Sequence, residues 1–205
     1  MKRHEGLRLR AAKLAAAAAA LKRQSGLTAP FSLAFLTDAE RAPNPLLIAR
    51  VLPAGAAIIL RDYRLPNRAG LAAQLKSICD ARDLKFLIGA DLALAESIGA
   101  YGVHLPRWFE PDRICPDGMV VSAACHNAKE LAQADAMGAD IALLSPVFAT
   151  DSHMRAAGLD AEKFLALAAG APLPVLALGG VDETNALSLA GANVAGLAAI
   201  GAFLA

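Results

Sequence analysis

The sequence predicts a closed, parallel, eight-stranded (β/α)8 barrel of the TIM-barrel class, with one extra helix at its N-terminus. Three observations carry this. Short runs with β-tendency recur eight times from Phe31 onward. They are apolar almost throughout, the pattern of strands buried on both faces. Most are separated by stretches with leucine and alanine at i, i+3, i+4 spacing and charges opposite, as helices covering a sheet require. Eight such units in 205 residues fit a closed barrel at the short end of its usual size. An open doubly wound sheet competes, but its G-x-G-x-x-G loop after the first strand is missing: FLTDAERAPNP offers no glycine cradle for a phosphate.

The elements follow in order. Residues 1–24 hold LRLRAAKLAAAAAALKR, a segment of high helix propensity. Seven basic residues (Lys2, Arg3, Arg8, Arg10, Lys13, Lys22, Arg23) stand there against Glu5 alone. Serine is nearly absent, no A-x-A site precedes a polar mature start, and Lys13 interrupts the apolar core that a secretory signal needs. The segment therefore reads as a basic helical extension, and residues 25–205 as a single barrel domain. The strand runs are FSLAFLTD (31–38), AAIILRD (56–62), KFLIGA (85–90), YGVHLP (101–106), MVVSAA (119–124), IALLSPV (141–147), PVLALGG (174–180) and VAGLAAI (194–200).

Composition narrows the function. The 56% apolar content is mostly alanine, and no run reaches the ~18 uninterrupted apolar residues of a membrane span. Cys79, Cys115 and Cys125 are scattered and lack C-x-x-C spacing, which indicates neither a disulfide framework nor a zinc site and suits a cytoplasmic protein. Beyond residue 24 acids outnumber bases, so no footprint for nucleic acid exists. A small molecule is the expected partner, and a homodimer is compatible with everything above.

In such barrels chemistry sits at the carboxyl ends of the strands. His126 stands there in SAACHNAKEL, and an imidazole titrating near neutrality can accept and return a proton. If strand geometry holds, Ser122, Ala124 and His126 share one face while Cys125 points the other way, into the core. Arg61 at the second strand end faces the mouth, and needs either a bound anion or an ion pair with an acid such as Asp38. His104 lies within its strand and reads as a hydrogen-bonded interior group. Trp108 and Phe109 either stack on a flat ring or, the favoured reading, plug the mouth. Gly179 and Gly180 suit a turn of positive φ or a phosphate; Thr150 and Ser152 lie in a loop.

The succession FLTD, IILRDY, GAYGVHL, VSAACHN, GADIALLSPVFATDS, PVLALGGV and GANVAGLAAIGAF resembles the thiamine phosphate synthase and thiazole tautomerase (TenI-like) superfamily. That resemblance implies a phosphate-binding (β/α)8 barrel that handles the thiazole phosphate of thiamine biosynthesis. It places His126 where both branches keep a histidine, and where the tautomerase branch moves a proton. The Gln-x-Arg-x-Lys spacing of the synthase branch falls on Ile59, Arg61 and Tyr63, so only the arginine is kept. Its two Mg²⁺ aspartates fall near Gly89, Ala90 and Phe109; a one-residue slip would recruit Asp91 and Glu110. The family's phosphate loops match Thr150, Ser152, Gly179 and Gly180, whereas the usual closing-strand serine falls near Ala199 or Ile200, and His153 replaces a lysine. Residue counting favours a metal-independent, TenI-like tautomerase (an isomerase) with His126 catalytic, Arg61, Tyr63, Ser122, Thr150, Ser152, Gly179 and Gly180 toward the substrate, and no cofactor. The alternatives are a Mg²⁺-dependent thiamine phosphate synthase (a transferase), and a degenerate barrel that only binds a phosphorylated ligand.

Overall fold

The computed structural model describes residues 2–111, 115, 117–149 and 158–204. Eight strands, β1 (Leu33–Leu36), β2 (Ala57–Leu60), β3 (Lys85–Gly89), β4 (Gly102–Leu105), β5 (Val120–Cys125), β6 (Ile141–Leu144), β7 (Val175–Leu178) and β8 (Val194–Ala199), close into one parallel barrel in chain order. Every strand lies inside its predicted run except β5, which continues one residue further, to Cys125.

Helices α2 (Pro45–Ala49), α3 (Arg68–Arg82), α4 (Leu92–Ser97), α5 (Ala128–Ala136) and α6 (Asp160–Ala169) follow β1, β2, β3, β5 and β6. A short 3-10 turn, Ala186–Leu189, follows β7, and another, Gly201–Phe203, follows β8. Between β4 and β5 no helix occurs among the described residues. The outer face of β8 is covered instead by α1 (Lys2–Ser25), whose Ala11, Leu14, Ala18 and Leu21 form one buried stripe at helical spacing. None of the helices is long and apolar enough to cross a membrane among the described residues.

Alternation along the strands sorts side chains into two packed layers. Phe35, Ile58, Phe86, Val103, Leu144 and Leu197 face the helices, while Ala34, Leu36, Ile59, Leu87, Leu143, Leu176 and Ala198 fill the barrel. The pairing of β7 with β8 slips between Val175 and Leu176, whose partners are Val194 and Gly196. The skipped residue, Ala195, makes a bulge that reverses the facing of the rest of β8. Gly196 accommodates it at φ +152, with the Ser32 carbonyl oxygen occupying the space a Cβ would need.

A candidate ligand site at the mouth of the barrel

Continuing the period of two past each strand end predicts which side chains meet at the mouth. From β2 it is Arg61, from β4 His104, from β5 Ala124 and His126, from β6 Ser145, from β7 Leu178, and beyond the bulge of β8 Ile200. All of them line one cavity of about 330 Å³, rimmed by Arg41, Tyr63, Arg107 and Trp108. Ile200, not Ala199, is therefore the β8 residue at the mouth; Ala199 packs in the outer layer.

His126 is held at three points. Its backbone N–H donates to Glu130 Oε2 at 2.8 Å, and Nδ1 lies 2.6 Å from the Ser145 carbonyl oxygen. Because a carbonyl only accepts, Nδ1 carries the proton and the Nε2 lone pair is left as the accepting site. Glu130 is fixed in turn by Asn127, which caps α5 by accepting from the Glu130 N–H at 3.0 Å, and by Arg107 at 3.1 Å. The Asn-x-x-Glu spacing is a capping-box signal. It identifies Glu130 as a positioning residue that the sequence reading missed. Cys125 faces away, its Sγ–H directed at the Glu130 carbonyl, and burial with the Glu130 charge pushes the thiol up to about 12.

Arg61 does not pair with Asp38. That carboxylate is taken by Arg41, whose Nε and Nη2 lie 2.9 and 2.6 Å from Oδ2. Partial burial opposes ionisation of Asp38, yet the Arg41 contacts outweigh it and hold the carboxyl below its ordinary value. Thr37 Oγ1 accepts from the Arg61 N–H at 2.9 Å and fixes its backbone, leaving the guanidinium facing the cavity beside His104 and Tyr63. Burial raises the Tyr63 phenol, against the pull of Arg61 and Arg68.

Ser122 does not reach the cavity. It is fully buried, 3.0 Å from His104 Nδ1 and 3.3 Å from the Val103 carbonyl, because its strand position lies one layer below the mouth. Its role is to seat His104, which burial and the neighbouring Arg61 push down to about 3, so that this ring is neutral at ordinary pH. Trp108 is not a plug: it stands 63% exposed on the rim, edge-to-face with Tyr63 and Phe109 at 5.1 and 6.0 Å, while Phe109 alone turns toward the core.

The glycine end of the mouth opens into an adjoining cavity of about 490 Å³ lined by Gly179, Gly180, Thr184, Gly201 and Arg10 among others. Gly179 and Gly180 have φ of +96 and +67, and a Cβ on Gly179 would stand 2.9 Å from Pro146 Cα. Their amide N–H groups find no acceptor among the described residues. Thr150, Ser152 and His153 lie outside the described residues.

Over residues 33–203 the chain matches the family model described as thiamine monophosphate synthase. It belongs to that family. The thiamine-phosphate synthase of Methanoculleus marisnigri is 36% identical over 166 residues, covering 76% of this chain and 78% of the relative. That of Chlamydia caviae is 30% identical over 186 residues, covering 84% and 87%. The structure of a thiamine phosphate pyrophosphorylase from Pyrococcus furiosus superimposes with a TM-score of 0.69 over 87% of each chain, and at 22% identity it supports the fold alone.

Among the described residues, Asp91 and Glu110, the two acids that a one-residue slip would recruit, are not arranged as a Mg²⁺ site. Asp91 caps α4 by accepting from Leu94 N–H at 2.9 Å, and its other oxygen pairs with Arg68 at 3.2 Å. The same Arg68 donates to the Leu60 and Gly89 carbonyls, which ties its carboxylate partner into the wall. Glu110 is exposed and lines a separate surface pocket with Cys125 and Lys129. Among the described residues no group of three His, Cys, Asp or Glu side chains converges as a metal site.

Proposed function

We propose that this member of the family is a thiamine-biosynthesis enzyme whose barrel mouth binds a thiazole phosphate, and that it catalyses a metal-independent tautomerisation with His126 as proton carrier. The observation that carries this reading is the Ser145 carbonyl on Nδ1, which reserves that nitrogen as a donor and leaves Nε2 as the ring's accepting site, on a side chain that lines the cavity. In the step, Nε2 removes a proton from the non-aromatic thiazole tautomer. The electron pair left behind moves through the conjugated system and makes the ring aromatic, and the imidazolium returns its proton at the far end of that system. Arg61 lines the same cavity and offsets the negative charge that develops on the substrate. Gly179 and Gly180 would hold the phosphate through backbone N–H groups; Thr150 and Ser152 are proposed as further donors.

A second reading is supported by the name thiamine-phosphate synthase that the curated relatives carry. It is the transferase reaction, joining thiazole phosphate to a pyrimidine pyrophosphate, with Arg61, Tyr63 and Trp108 around the pyrimidine. Purified protein should be offered the thiazole tautomer, and separately the two coupling substrates, each with and without Mg²⁺. Tautomer consumption indifferent to Mg²⁺ and slowed about 10²- to 10⁴-fold in His126→Ala is the expected result. Formation of the coupled product instead would replace the first reading by the second.

A further inference from the structure

We propose that Arg10, on the N-terminal helix α1, binds the phosphate group of the ligand, so that this helix supplies part of the site as well as covering β8. The inference rests on the reading that a phosphorylated compound occupies the mouth. Arg10 lines the same cavity as Gly179, Gly180 and Gly201, with the ends of β7 and β8 forming its floor. Those strand ends contribute only apolar side chains there, Leu178, Ala198, Ala199 and Ile200, so the barrel itself places no cation on that wall. The other arginine at the cavity, Arg41, is engaged with Asp38. Arg10 has no ion pair or side-chain hydrogen bond among the described residues, and a phosphate beside it would meet a guanidinium with its donors available.

Two features hold Arg10 in place. Ala11 and Leu14, on either side of the next turn, are fully buried against the barrel. Lys13 lies 3.9 Å from Glu183, which anchors that turn of α1 to the loop after β7. Asp182, the acid that feels the Arg10 charge, spends Oδ1 on Thr184 N–H, Thr184 Oγ1–H and Asn185 N–H, at 2.7, 2.6 and 3.2 Å. Asp182 thus shapes the loop, and its carboxylate and that of Glu183 line the same cavity as Arg10. A planar fork of N–H donors in the same cavity as two glycine amides suits a phosphate monoester, whose oxygens accept from both.

The test compares binding of thiazole phosphate with that of the unphosphorylated thiazole alcohol, by titration calorimetry, in wild type, Arg10→Ala, Arg10→Lys and Arg8→Ala. Arg8 is exposed on the same helix and serves as the control. Wild type should prefer the phosphate ester; Arg10→Ala should lose roughly 10- to 100-fold of that preference with alcohol binding unchanged, Arg10→Lys should regain part of it, and Arg8→Ala should match wild type. An Arg10→Ala protein that keeps the full preference overturns the role of Arg10 and leaves the phosphate reading standing. A wild type that binds ester and alcohol alike overturns the phosphate reading itself.

Discussion

Two histidines one strand apart reach the same cavity with different chemistry, and the difference lies in what each Nδ1 touches. His126 meets a backbone carbonyl at the strand end, half-buried; His104 meets a serine hydroxyl inside the barrel, at 2% exposure. An unfolded His104 takes up a proton near 6.5, whereas the native ring resists until about 3. Between those values the unfolded chain binds more protons at this site, so the contribution of His104 to stability is constant above the window and is lost as pH falls through it. Urea unfolding of wild type against His104→Gln should show the wild type losing about 1.4 kcal/mol per pH unit relative to the variant below about pH 6. A difference that does not change with pH would contradict the buried, neutral ring. His126 was legible because strand alternation and its place at a strand end are sequence properties. The Ser145 carbonyl was not, since a main-chain oxygen carries no residue signature, and Ser122 was misplaced because one step of two residues along a strand separates the mouth from the interior.

At the scale of the element, β8 shows what periodicity alone misses. VAGLAAI reads as a buried strand, and a single glycine within it is compatible with both a regular strand and a bulge. The structure has the bulge, which is why Ile200 rather than Ala199 enters the mouth. Gly196→Ala would drive a methyl into the Ser32 backbone, which cannot swing aside as a side chain would. The expected cost is about 3 kcal/mol or more, read from the shift in urea midpoint, and a near-neutral result would remove the bulge from the account. The connection from β4 to β5 departs from the repeat as well, with no helix among its described residues. There HLPRWFEP spends its apolar residues on the rim, where Trp108 meets Tyr63, rather than on a helix stripe.

Across the whole molecule the closing contact is between α1 and β8. The sequence reading foresaw the helix from its alanine content, but its partner was not legible, because nothing local in an alanine stripe says which strand it covers. Removing residues 1–24 would expose Leu197 and neighbouring apolar surface of β8 together with the Phe203 turn. The truncated chain should unfold at markedly lower temperature than wild type and aggregate on heating, as circular dichroism and light scattering would report. An unchanged melting temperature would mean that α1 is an appendage.

The pairing of α1 with β8 joins segments from the opposite extremes of the barrel sequence. During synthesis on the ribosome, a helix completed before any strand must wait for the strand that emerges after all the others, so its apolar stripe stays without its partner through most of translation. The charges scattered along α1, and its short alanine side chains, leave that waiting segment little surface for a stray partner to grip.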